Sequence, residues 1–100
     1  MKVIRRDELD ELKESRAADL VRIANETVGD VFDAKVSGSN NNVRLVEKGD
    51  NKYPMQIWVM SAPHHRVISV ESEKYKDHAV SLAEKYKAEE LGEFVVEGHY

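Results

Sequence analysis

Apolar residues in the first third of the chain recur at helical spacing. In DELDELKESRAADLVRIANETVG, Leu9, Leu12, Leu20, Ile23 and Ala24 share one stripe, widened by Ala17, Val21 and Val28. The spacing predicts a helix from about Asp7 to Thr27. Asp7 is placed to cap it, the early acidic residues suit the positive end of the helix dipole, and Gly29 is placed to supply a left-handed exit. Arg22 falls within one turn of Asp19 and Glu26, a pattern that belongs to a solvated helix face.

Beyond Gly29 the period changes from helical to alternating. Phe32, Ala34 and Val36 interleave with Asp33 and Lys35, as in a strand with one packed face. SGSNNN and EKGDNKYP are turn-rich, so Val43 and Leu45 around Arg44 form a second strand in a hairpin with the first. In MQIWVM, Met55, Ile57 and Val59 lie on one face and Trp58 and Met60 on the other, with Gln56 as the polar interruption. Pro63 breaks that run, and RVISV resumes with Ile68 and Val70 on one face, Val67 and Ser69 on the other. Ser72 is placed to cap a second helix whose stripe is Tyr75, Ala79, Leu82, Ala83 and Tyr86 and which ends near Gly92. The tail EFVVEGHY either adds a short edge strand or stays mobile. The order predicts one α+β domain over residues 1–100: two layers, a helix, four antiparallel strands and a helix, with a short C-terminal strand as an optional addition.

Composition narrows the function classes. The chain has 100 residues and no cysteine, so disulfides and thiolate metal sites are excluded and stability must come from packing. Its start turns acidic where an export signal needs an apolar run, and no stretch is long enough to cross a bilayer as a helix, which predicts a protein made in the cytoplasm. A net charge of −4, from 19 acidic and 15 basic residues spread along the chain, argues against nucleic acid as the main partner. A local basic patch of Arg5, Arg6, Arg44 and Arg66 is the reserve reading; mixed solvated faces account for such residues more simply.

The feature that most suggests chemistry is SAPHHRVISVES. Adjacent residues of an extended segment point to opposite faces, so His64 and His65 converge poorly on one metal ion unless a turn rotates them and His78 joins. An exposed turn, in contact with another chain, is the simpler reading. Ser61, Ser69 and Ser72 lie near these histidines without a nucleophile elbow, and SGSNNN lacks the glycines and lysine of a phosphate loop. No catalytic residue, metal or cofactor is therefore predicted. Trp58 and Met60, with Tyr53 just before them, exceed what a one-sided sheet can bury. Either the tail covers them through Phe94 and Val95 or they form a protein interface. The candidate interface comprises Tyr53, Trp58, Met60, Pro63, His64, His65 and Arg66.

SRAADLVRIANETVGDVFDAKV, followed at a distance by HRVISVESEKYKDHAVSLAEKY, resembles the small neck and tail-completion proteins of tailed bacteriophages, the head-to-tail connector group of siphophages. The matching positions are Ala17, Ala18, Ile23, Ala24, Gly29 and Phe32, then Arg66, Val67, Val70, His78, Ala79 and Leu82. The intervening stretch is longer than the short basic loop of that pattern. The resemblance implies a non-enzymatic virion protein that assembles as a ring of its own copies, with loops 48–54 and 61–66 contacting neighbouring connector or tail proteins. The alternative is a small intracellular binding module, such as a phage-encoded inhibitor of a host protein.

Overall fold

The structure, a computed structural model, describes the backbone of residues 6–37, 42–49, 56–62 and 65–100, and side chains over the same ranges except 6–15, 62 and 65. Helix α1 spans Arg6–Val28. Asp7 therefore stands in the first turn rather than at a cap before it. Ala17, Leu20, Ile23, Ala24 and Val28 are buried, which completes the expected stripe over the described side chains. Gly29 does not take the expected left-handed exit; positive φ occurs at Gly49 and Gly92 instead. Its need for glycine is steric, because a Cβ there would collide with the carbonyl oxygen of Asn25.

Strands β1 (Phe32–Ser37), β2 (Asn42–Glu47), β3 (Ile57–Ala62) and β4 (His65–Val70) follow, and β5 (Val95–Gly98) closes the chain. They form one sheet in sequence order, β1-β2-β3-β4-β5. The first four pair antiparallel, with Ala34 opposite Leu45, Val43 opposite Val59 and Val59 opposite Ile68. The tail resolves as an ordered strand, and β5 lies parallel to β4, with Ile68 opposite Val96. A parallel neighbour needs a crossover, and helix α2 (Lys76–Ala88) supplies it.

Both helices pack on one face of the sheet. Leu20, Ile23, Phe32, Val43, Leu45, Ile57, Val59, Ile68, Val70, Leu82 and Tyr86 are all 1% exposed or less, forming a single core between the two layers. Gln56, expected inside the third strand, lies just before it and is buried. Its main-chain N–H donates to Leu45, its carbonyl accepts from Glu71, and its side-chain oxygen accepts from the Glu47 N–H at 2.8 Å. The polar interruption in MQIWVM thus splices β2, β3 and the end of β4.

The start of α2 is a 3-10 turn, Glu73–Tyr75, preceded by Ser72. Ser72 stands at the expected position, but its side chain makes no capping hydrogen bond; its carbonyl accepts the Tyr75 N–H at 3.0 Å. At the other end the Leu91 N–H donates to the Tyr86 carbonyl and the Glu90 N–H to the Lys87 carbonyl, the paired bonds of a Schellman motif. Glu90 occupies its left-handed position at φ 60°. The helix itself ends at Ala88, four residues before Gly92. Inside the core, the Tyr86 hydroxyl donates to the Leu20 carbonyl at 2.8 Å and ties α2 to α1.

Candidate functional site

The strand register assigns every β residue to a face, because cross-strand partners share one. On the face away from the helices, one row runs across all five strands: Lys35, Arg44, Trp58, Ser69 and Glu97. A second row carries Met60, Val67 and Val95, and Val46 pairs with Asp33 on the opposite side of the Trp58 row. Trp58 and Met60 are half-buried, their cross-strand neighbours Ser69 and Val67 are buried, and Lys35, Arg44 and Glu97 are exposed. These apolar side chains lie outside the described core cluster.

The tail does not cover Trp58, contrary to the first of the two expectations. Phe94 turns to the helix side, its ring 5.1 Å from that of Tyr86, and Val95 extends the outer face while remaining 63% exposed. The reason is topological: β5 hydrogen-bonds along the edge of β4, so its residues lengthen both faces instead of lying over one.

Of the candidate interface residues, Trp58 and Met60 share the outer face. Arg66 does not. It pairs with Ser61 in the row of Val59 and Ile68 parity, on the helix side, and lies against Gly92. This corrects its grouping with Trp58, and it also parts Arg66 from Arg44 of the reserve basic patch, since Arg44 lies on the outer face. His65 is the first residue of β4, paired with Ala62, rather than part of a turn. Tyr53, Pro63 and His64 lie outside the described residues, as do Arg5 and most of loop 48–54.

His78 is remote from His65. It lies in the first turn of α2, edge-on to Phe32 and Tyr75 at ring distances of 5.5 and 6.1 Å. β4 separates the two ends of the sheet, and six strand residues cover roughly 16 Å. Among the described residues no group of three or more His, Cys, Asp or Glu side chains could hold a metal ion. His78 instead helps line an open cleft of about 260 Å³ with Thr27, Val28, Asp30, Asp77 and Ser81, its Nδ1 buried without a hydrogen-bond partner. Next to it the Tyr75 hydroxyl donates to Glu47, while Lys74 Nζ stands 4.0 Å from that carboxylate and 5.0 Å from the Tyr75 ring centre. Burial foremost, and then the bond to Glu47, push the Tyr75 pKa upward. This cluster fastens the end of β2 to the start of α2.

No protein-family model matches the chain, and no curated protein or solved structure matches it. No described helix is long and apolar enough to cross a membrane. The residues that sequence reading missed are Lys35, Arg44 and Glu97 as neighbours of Trp58, together with Arg16 beside Arg66. Alternation assigned the first two to a polar face. Their alignment with Trp58 and Glu97 needed the register of four strand pairs, which no local pattern encodes.

Proposed function

We propose that this chain is a non-enzymatic assembly protein that works by pairing with copies of itself and with neighbouring proteins through the outer face of its sheet. The observation that carries the reading is the row Lys35, Arg44, Trp58, Ser69, Glu97: two cations at one end, an anion at the other and the tryptophan on the central strand. A two-fold axis between two sheets, parallel to β3, reverses the row, so Lys35 of one copy faces Glu97 of the other and Trp58 meets Trp58. A two-fold axis along the row would instead set Lys35 on Lys35. The favoured arrangement is aligned face-to-face packing, with Met60 meeting Met60 in the second row.

The proposed setting, carried by the resemblance, is the head-to-tail junction of a tailed phage, where a ring would need a second, heterologous contact beyond this two-fold one. Sedimentation of the full chain tests the assembly surface. A dimer is expected for the wild type. Lys35→Glu and Glu97→Lys should each weaken it at least tenfold, and the double exchange should restore it by recreating the opposite charges across the axis. Trp58→Lys should give a folded monomer. A wild-type monomer at all concentrations, or a double exchange no better than either single change, refutes the arrangement. Detection of the chain in purified virions tests the setting.

A further inference from the structure

At the end of the core opposite His78, two arginines converge on one peptide group. Arg16 of α1 donates from Nη2 to the carbonyl of Leu91. Arg66 of β4 lies against the next residue, its Nη1 2.7 Å from where a Cβ on Gly92 would stand. Peptide geometry then holds Arg16 Nη2 and Arg66 Nη1 within roughly 10 Å of each other. Gly92, at φ 118°, has no side chain to separate them.

Neither guanidinium has an ion-pair partner among the described residues, whose ion pairs engage Arg22, Lys74, Lys85 and Lys87. Both Nε atoms are buried and lack a hydrogen-bond partner. Burial, and then the charge of Arg66, lower the pKa of Arg16, the sign expected where two cations share a poorly solvated place. The helix end contributes its partial negative charge and one carbonyl, leaving most of the ten N–H donors of two guanidiniums to find acceptors elsewhere. Buried unpaired donors and uncompensated like charges are both costly, and an oxygen-rich anion relieves both at once.

We propose that Arg16 and Arg66, on either side of the Leu91–Gly92 peptide, form a binding site for an oxyanion of the phosphate class. Two planar forks suit a tetrahedral anion carrying up to two charges, whereas a single carboxylate fills only one fork. The site lies away from the outer sheet face, so it stands or falls independently of self-association.

Titration of the full chain with inorganic phosphate, sulfate and phenyl phosphate against sodium chloride at matched ionic strength tests the site, followed by thermal unfolding and by the amide resonances of Leu91 and Gly92. A saturable rise in melting temperature is expected with a phosphate, absent with chloride, and the two amide signals should shift along the same isotherm. Arg66→Gln should weaken apparent affinity at least tenfold; Arg66→Lys keeps the charge and stem, guards against loss of fold, and should weaken it less. Arg22→Gln, on the exposed face of α1, should leave it unchanged. Saturation by inorganic phosphate assigns a free anion, and tighter saturation by phenyl phosphate assigns a phosphate ester. Equal shifts with chloride, or equal losses from Arg22→Gln and Arg66→Gln, overturn the proposal.

Discussion

Replacing Tyr86 by phenylalanine separates two consequences of one buried hydroxyl. Tyr86 is 0% exposed, its ring packs against Phe94, and its hydroxyl donates to the Leu20 carbonyl at 2.8 Å. Phenylalanine keeps the ring and removes that bond. Loss of one neutral hydrogen bond costs about 1 kcal/mol near neutral pH. In a domain of this size that lowers the melting temperature by roughly 4–8 °C. The alkaline limb reverses the order. Burial raises the folded-state pKa of Tyr86 far above its ordinary value of 10.0, so the unfolded chain releases this proton first. The contribution of the neutral hydroxyl is whole below that ordinary value and is lost as pH rises toward the folded-state pKa. One pH unit above it, ionisation of the unfolded chain costs the wild type about 1.4 kcal/mol, a penalty the phenylalanine variant does not share. The two stability curves should therefore cross at about pH 10.6, where that penalty equals the lost hydrogen bond, by the same linkage arithmetic. Paired urea titrations at neutral pH and at intervals from about pH 9 to about pH 11.5 would read both effects. A gap that stays constant through the alkaline range would refute the reasoning, since it would mean that the hydroxyl ionises as readily in the folded protein as in the unfolded chain.

Two further changes test the local account of the fold. Glu90 sits at the left-handed position of the α2 terminus and places a negative charge at the negative end of the helix, so Glu90→Gly should stabilise the protein by about 0.5–1 kcal/mol; no gain in the urea midpoint would count against the Schellman assignment. Gln56→Leu preserves bulk but leaves the Glu47 N–H without its acceptor, and should cost about 1–3 kcal/mol in thermal or urea unfolding, a penalty that an exposed side chain would not carry.

The outer face and the arginine pair illustrate how differently the two candidate sites relate to the sequence. Trp58 and Met60 stood out because they exceed the needs of one core, a fact of alternation alone. Their partners did not stand out. Arg44 is one polar residue between two apolar ones, and Glu97 belongs to a tail whose order alternation left undecided. Arg66 was assigned by proximity to the histidines, but odd and even positions of β4 part company: Val67 and Ser69 face outward, while Arg66, Ile68 and Val70 face the helices. Proximity along a strand is a poor guide to shared surface, since each step reverses the side.

What the sequence determined by itself was local and periodic. The apolar stripe of α1, the alternation of β1 through β4 and the stripe of Tyr75, Ala79, Leu82 and Tyr86 each decide an element and its buried face, because a segment of fixed period has only one way to hide its apolar side chains. They also determined the α+β class, since short consecutive strands with polar turns pair antiparallel and leave the helices one face to cover. The tertiary structure alone decided the parallel attachment of β5, the row that aligns Lys35 and Arg44 with Glu97 across Trp58, and the meeting of Arg16 with Arg66 over Gly92. Each of these joins residues far apart in the chain, through strand register and the return path of α2. Register and crossover minimise the free energy of the whole packed core, and no single segment carries that sum.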